Sequence, residues 1–366
     1  MRPLCIASIF AAAVACSAQN GSPGDVAGTP GEDASVPPGP DASGPVDSGA
    51  PDGDASAPPP DAVTPPPDAG PPPPLDVIVE PGDDAAALIA AINAATKSVH
   101  MTMYLLDDSR IITALVHQHN LGHEVKVVLN QSFPTGGNAN QSAHDTLVGY
   151  SIPVVYAPSA FTLTHEKCVI LDGATAWIMT MNLATSAPKM NREYLVIDNQ
   201  EADVSEAEAI FAADFANQSI TASGPLLVAP DNAQTQLVAL AKSAKKTIDV
   251  EGEELSDSQF VTALANAQKA GATVRVVLSN ATPSSAQNNA VSQLKTAGVK
   301  VVQLATPYVH AKAMVVDGAR AYVGSANFTS ASFNQNRELG IITGDALVLG
   351  KVSPTIAADF TAGAPL

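Results

Sequence analysis

The stretch His310-Ala-Lys312-Ala-Met-Val-Val-Asp317-Gly318, with Gly324-Ser325-Ala-Asn327 just beyond it, decides how this chain folds. Its apolar run ends in Asp-Gly, the strongest short-range signal for a tight hairpin, so the stretch predicts a strand, a turn and a returning strand. Side chains two apart on a strand share a face. His310 therefore lies beside Lys312, and Ser325 beside Asn327. An imidazole, an ammonium, a hydroxyl and a carboxamide on one surface suit a phosphate: Lys, Ser and Asn donate to its oxygens, and the His can attack or carry a proton.

The same arrangement stands earlier in the chain. His165-Glu-Lys167 is followed at equal spacing by Asp172-Gly173 and then by Met179-Thr180-Met-Asn182. His165 and His310, Asn182 and Asn327, and Glu193 and Glu338 are each 145 positions apart. The repeat extends further: Asn-Arg-Glu ends at Glu193 and at Glu338, and Ala-Ala-Asp-Phe ends at Phe215 and at Phe360. Pro81 and Pro230, and Thr113 and Thr262, are 149 apart, so the offset shortens by four between the early and late parts of each copy.

This spacing resembles the HKD signature of the phospholipase D superfamily, H-x-K-x4-D-x6-G-S-x-N. The second copy matches throughout. The first carries Met179-Thr180 where Gly-Ser is expected, which keeps a hydroxyl but adds bulk where backbone is expected to approach a phosphate. The resemblance covers roughly Leu75 to the C-terminus. It implies a phosphohistidine mechanism in which one His attacks phosphorus and the other protonates the leaving alcohol, with no metal or cofactor. In the family the first-motif His is usually the nucleophile, which gives that part to His165 and the acid–base part to His310. The intact second motif argues the reverse, and the sequence leaves the choice open. Lys167, Lys312, Asn182 and Asn327 are expected to hold phosphate oxygens, assisted by Ser325 and Thr180. Glu193 and Glu338 are expected to orient a His through its second ring nitrogen, where a carboxylate fixes the tautomer. Asp172 and Asp317, at the turns, read as structural.

Alternating helix and strand patterns imply an α/β fold: two tandem phospholipase D-like repeats, each a mixed sheet flanked by helices, spanning 75–224 and 225–366. Packed about a pseudo-two-fold axis, equivalent patches meet and one cleft receives both His-Lys pairs. The unit expected is a monomer containing an internal pseudo-dimer. In the first repeat the pattern predicts helices over 84–96, from a Ser109 cap to about Asn120, over 141–149 and over 205–217. Strands are predicted over 98–105, 125–129, 152–156 and 193–197.

Residues 1–16 carry one positive charge, a short apolar run and small residues, as a secretory signal does. Ala13-Val-Ala-Cys16 resembles a bacterial lipobox, which would leave Cys16 lipidated and the protein exported and held at a membrane. Residues 17–74, rich in Pro, Asp, Gly and Ala without apolar periodicity, read as a disordered tether. Of the chain's three cysteines only Cys168 lies in the part expected to fold, one residue past Lys167, and it reads as a small buried apolar side chain.

Charge narrows the substrate. The chain carries −18 overall. Nine of its 36 acids fall in 17–74 and Arg2 is the single base before residue 75, so the rest has 27 acidic and 17 basic residues. With no basic run and 4% aromatics, nucleic acid is a poor partner, because such binding draws on Lys and Arg contacts to phosphates. A membrane-anchored enzyme meets phospholipid. The sequence therefore favours phospholipase D-type hydrolysis of headgroups, with transphosphatidylation as a companion reaction. The alternatives are a cardiolipin synthase-like phosphatidyltransferase, an exported metal-independent nuclease, and a non-enzymatic surface protein with a decayed first site. His117, His119 and His123 do not make a metal site, since helix positions i and i+2 face apart. Glu251, Glu253 and Glu254 read as a solvated strand end, or as the border of the cleft facing a cationic headgroup.

Overall fold

The structure, a computed structural model, describes residues 75–366. The expected signal (1–16), Cys16 and the tether (17–74) lie outside the described residues.

The first repeat runs β1 (Asp76–Glu80), α1 (Ala86–Ala94), β2 (Ser98–Met103), α2 (Ser109–Asn120), β3 (Glu124–Leu129), α3 (Gln141–Gly149), β4 (Val154–Tyr156), β5 (Lys167–Leu171), β6 (Thr175–Met179), α4 (Ala187–Met190), β7 (Asn191–Asp198) and α5 (Glu201–Phe215). The second runs β8 (Leu227–Ala229), α6 (Ala233–Ser243), β9 (Thr247–Gly252), α7 (Ser258–Lys269), β10 (Thr273–Ser279), α8 (Ser285–Thr296), β11 (Lys300–Leu304), β12 (Tyr308–Val309), β13 (Lys312–Val316), β14 (Arg320–Gly324), α9 (Ser330–Asn334), β15 (Glu338–Thr343), α10 (Ala346–Ala362) and β16 (Ala364–Pro365). Two mixed sheets result. Their strand orders, β1-β7-β6-β5-β2-β3-β4 and β8-β15-β14-β13-β9-β10-β11, correspond element for element, and β16 extends the second.

Two differences from the sequence reading have local causes, and a third is a shift of one boundary. Asp108 rather than Ser109 caps α2, its carboxylate accepting from the Arg110 backbone N–H at 2.9 Å. The first helix starts at Ala86, because Asp84 and Ala85 have φ of 55° and 57° and the Glu80 carboxylate holds the backbone N–H groups of Asp83, Asp84 and Ala85. The last helix of the repeat starts at Glu201, four residues earlier than expected.

Alternation along the motif strands serves two cores. On β5, Cys168 and Ile170 face one cluster while Val169 and Leu171 face another, so the run is apolar throughout, as a strand covered on both faces must be. Helices α1–α3 cover the outer face of the first sheet through Leu88, Ile111 and Leu147, and α6–α8 cover the second through Leu237, Leu264 and Leu294. The other two faces, with α5 and α10, share a third core. There Ile170, Ile178 and Phe211 join Val315, Val323 and Ile356. Residues 75–366 are thus one compact unit, with the two repeats as its halves.

Reciprocal contacts join the halves. Strand β12 leaves its own sheet and pairs in parallel with β7, Val309 opposite Arg192, while Thr164 bridges Arg337. The Arg192 guanidinium grips Asp359 at 2.5 and 3.1 Å, and Arg337 grips Asp214 at 2.9 and 3.1 Å. Each contact maps onto the other under the repeat, which is the signature of a two-fold interface.

Candidate active site

Both motif hairpins are built as their turns require. Asp172 and Asp317 sit at φ of 59° and 54°, ahead of Gly173 and Gly318 at 62° and 63°, the left-handed pair of a tight hairpin turn. Each aspartate also reaches sideways. Asp172 accepts from the backbone N–H groups of Thr96, Lys97 and Ser98, and Asp317 from those of Lys245, Lys246 and Thr247. Burial works against the Asp172 carboxylate, but these donors outweigh it and bring its pKa down to about 2. The hairpins are thereby tied to the starts of β2 and β9.

His165 and His310 stand just ahead of β5 and β13. The His165 backbone N–H donates to the Arg337 carbonyl at 2.9 Å, so this segment lies against the opposite repeat. The side chains cross as well. His165 Nδ1 is 3.0–3.1 Å from the Glu338 carboxylate, and His310 Nδ1 is 2.7 Å from Glu193 Oε1. Each glutamate thus meets the histidine of the other repeat, which the sequence did not specify. Both carboxylates are fully buried. Burial raises the pKa of Glu193, yet the His310 ring, Lys312 and Thr180 outweigh it and hold the group below its usual range; Glu338 is held down likewise by His165, Lys167 and Ser325. A carboxylate at Nδ1 fixes the ring and turns Nε2 to the chemistry.

Thr180 and Ser325 reach the two glutamates. The Thr180 hydroxyl donates to Glu193 Oε2, and Ser325 Oγ, also beside its glutamate, accepts from the Leu339 backbone N–H. Both residues are fully buried. Their hydroxyls stand beside the crossing carboxylates. Asn191 and Asn336, the first residues of the two Asn-Arg-Glu triplets, donate to Glu193 and Glu338 at 3.1 and 3.2 Å. Sequence reasoning missed these asparagines and the two Arg–Asp pairs, although the repetition of Asn-Arg-Glu and of Ala-Ala-Asp-Phe was the available signal.

Met179 lies in the outer core of the first sheet with Leu195 and Trp177. The glycine in its place in the other repeat answers a packing need. A Cβ on Gly324 would lie 2.5 Å from Gly340 Cα, and one on Gly340 would lie 2.6 Å from the Tyr322 ring.

The two lysines begin β5 and β13 and are almost wholly buried. Each ammonium donates to the carbonyl of its own histidine, at 2.5 Å for Lys167 and 2.6 Å for Lys312. Beyond that they differ. Lys167 Nζ stands 4.9 Å from the centre of the Tyr104 ring, and Tyr104 also meets the His165 ring edge-on at 4.7 Å. Lys312 Nζ donates to Glu253 Oε2 at 3.0 Å. The acidic cluster is therefore not a solvated strand end. β9 is an interior strand between β10 and β13, which buries Glu251 fully and Glu253 to 4% exposure. Glu251 accepts from Tyr194 at 2.6 Å. Burial and the Glu253 charge push Glu254 up to about 8.

Asn182 and Asn327 each leave an amide oxygen buried without a hydrogen-bond partner, an unusual cost for a folded interior and one shared by equivalent positions. Burial drives the His165 pKa down to about 4; Glu338 opposes this, and the charges of Lys167 and Lys312 add to it. The ring is neutral at pH 7, with a lone pair on Nε2. The crossed contacts bring the two half-sites together, with His165 against Glu338 of the second repeat and His310 against Glu193 of the first. Cys168 is buried on the far face of β5. Among the described residues no group of three His, Cys, Asp or Glu is placed to hold a metal, and no helix is long and apolar enough to cross a membrane.

The fold and the paired half-sites define a phospholipase D-type enzyme, and sequence comparison agrees. The family model "Cardiolipin synthase, PLD-like domain" matches residues 88–215 and 237–361, so the chain belongs to this family of the phospholipase D superfamily. Among individual proteins, a cardiolipin synthase of Listeria monocytogenes is 21% identical over 330 residues, covering 78% of this chain and 68% of that protein. In three dimensions the fold matches phosphatidylserine synthase of Haemophilus influenzae with TM-score 0.62 at 11% identity, over 80% of this chain and 87% of that one. It also matches polyphosphate kinase of Porphyromonas gingivalis with TM-score 0.60 at 16% identity, over 78% of this chain and 50% of that one.

Proposed function

We propose that the protein is a phosphatidyltransferase of the cardiolipin synthase type, moving a phosphatidyl group from a phospholipid donor to an alcohol acceptor. The observation that carries this reading is the crossed pair His165–Glu338 and His310–Glu193. The relatives shift the balance from hydrolysis, favoured by sequence alone, towards transfer. Burial of both imidazoles, 2% and 7% exposed, supports the same shift, since an enclosed site limits the water that competes with an acceptor alcohol.

In the first step the donor's nonbridging oxygens lie between Lys167 and Lys312, with the Asn182 and Asn327 amides beside them. The His165 Nε2 lone pair attacks phosphorus. The bond to the headgroup oxygen breaks, and that oxygen takes a proton from His310 Nε2. In the second step the acceptor hydroxyl returns a proton to His310, its oxygen attacks phosphorus, and the P–N bond breaks to restore His165. Lipidation at Cys16 and the tether over 17–74 would hold this site near an exported membrane face, working as a monomer with its pseudo-dimer inside.

The test is incubation with phosphatidylglycerol vesicles in EDTA, with lipid products resolved by mass spectrometry. A transphosphatidylated lipid such as cardiolipin is expected. Phosphatidic acid alone would return the reading to hydrolysis, and unchanged lipid would overturn it.

A further inference from the structure

The two half-sites share a backbone plan but differ at one position. Tyr104, which borders His165 and Lys167, and Glu253, which borders His310 and Lys312, follow β2 and β9 at the repeat's 149-residue offset. Glu253 is a built feature rather than a loose surface acid. Its Oε1 accepts from the Tyr308 hydroxyl at 3.0 Å, its backbone N–H donates to Ala311, and its carbonyl accepts from Ser279. Its Oε2 lies 3.0 Å from Lys312 Nζ and 3.5 Å from His310 Nε2. The His310 ring is therefore flanked by carboxylates at both nitrogens, Glu193 at one and Glu253 at the other. His165 has Glu338 at Nδ1 and an aromatic edge beside it.

We propose that Glu253 is a positioning residue that divides the labour of the two histidines, holding the exchangeable proton on His310 Nε2 and so leaving attack on phosphorus to His165. The geometry leads to this directly. A carboxylate stands at each nitrogen of the His310 ring, Glu193 at Nδ1 and Glu253 at Nε2, and an opposite charge at that range favours a proton on the nitrogen it faces. That arrangement places the proton donor where a leaving oxygen needs it and removes the Nε2 lone pair from competition. At His165, Tyr104 supplies no charge, and the low proton affinity of that ring agrees with a lone pair kept available. The groups facing Glu253 are Lys312, His310 and Tyr308 in its own repeat, with Glu254 next to it and His165 from the opposite repeat. The Glu253 carboxyl stays well below its usual range because Lys312 and His310 outweigh the effect of burial. It is therefore charged wherever the enzyme works.

The assignment of roles rests on the transfer reading above; the proton placement does not. The experiment accordingly starts without substrate, with a histidine-ring NMR titration of the full protein, Glu253→Gln and Glu253→Asp. In Glu253→Gln the His310 midpoint is expected to fall by about 1 pH unit or more, the usual scale for losing an opposite charge at this range. Glu253→Asp, which keeps the charge but retracts it, should give a smaller fall and covers the case in which the Gln variant folds poorly. Thermal melts check folding of both. An unmoved His310 midpoint in a folded variant overturns the proposal. Where phosphatidylglycerol is turned over, rapid quench at alkaline pH should find the covalent phosphoryl adduct on His165 in the wild type. An adduct on His310 would also overturn it. Absence of any lipid turnover, with the His310 shift intact, would reject the substrate reading and leave Glu253 as the group that sets the His310 proton.

Discussion

Set side by side, the first and second half-sites have the same skeleton and different linings. Each offers His, Lys, Asn and a crossing Glu on the same elements of the repeat. Around the first, Tyr104 and the Met179–Leu195–Trp177 packing are bulky and uncharged. Around the second, Glu253 supplies charge, and Gly324 and Gly340 make room for Tyr322. The lesson is that duplication preserves the backbone geometry that places reactive atoms, while the side chains behind them are free to diverge. On the proposed mechanism a phosphorus atom shared by both halves needs the former to be symmetric and benefits from asymmetry in the latter, because attack and proton donation are different tasks.

The largest effects should come from the histidines. His165→Ala and His310→Ala are each expected to lower transfer by about 10⁴-fold or more. A donor with a good leaving group, such as a p-nitrophenyl phosphodiester, separates them. It needs no general acid in the first step, so His310→Ala should release a burst of p-nitrophenol before its second step stalls, while His165→Ala gives no burst. An equal burst in both would erase the functional difference between the halves.

Next come the crossing glutamates. Glu338→Gln and Glu193→Gln should each reduce kcat by about 10²- to 10⁴-fold with little change in KM, the range for losing a carboxylate that orients a catalytic imidazole. The Arg–Asp pairs test the two-fold contact through stability. Arg337 is 1% exposed, so Arg337→Met strands a buried Asp214 at a cost of about 3–5 kcal/mol in chemical denaturation. Arg192→Met, at the more open end, should cost less. Gly324→Ala drives a methyl into Gly340 and should cost about 1–3 kcal/mol by overpacking. Met179→Leu in the first repeat should cost under about 1.5 kcal/mol.

The comparison also has a pH dependence. The folded-state pKa of His165 is lowered from 6.5 to about 4, so the unfolded chain binds the extra proton between those values. The stability that burial of the neutral ring contributes is present above 6.5 and is lost as pH falls to about 4. His165→Gln should flatten that part of the stability–pH curve, measured by urea denaturation at stepped pH. An unchanged slope would mean that the ring is not held neutral.

Much of this was legible in the residues. The constant spacing from His165 to His310 and from Glu193 to Glu338 revealed the duplication, and the Asp-Gly turns placed both hairpins. The alternation around Cys168 gave its buried face. Other features were hidden for a common reason. That Thr180 and Ser325 stand beside the glutamates was not legible, because spacing gives the face of a strand but not the neighbour across it. Glu253 read as solvated because three acids together look exposed, and nothing local says that β9 is an interior strand.

The sequence by itself determined the α/β repeat, its two hairpins and the set of groups offered to a phosphate, because these follow from periodicity, turn chemistry and side-chain type. Tertiary structure alone decided that each glutamate serves the other repeat's histidine, that two Arg–Asp pairs lock the halves, and that a third carboxylate lies against one imidazole. Those contacts span separations such as the 173 residues from His165 to Glu338. They exist because two sheets bury their facing apolar sides together, and only that packing settles which strand ends meet.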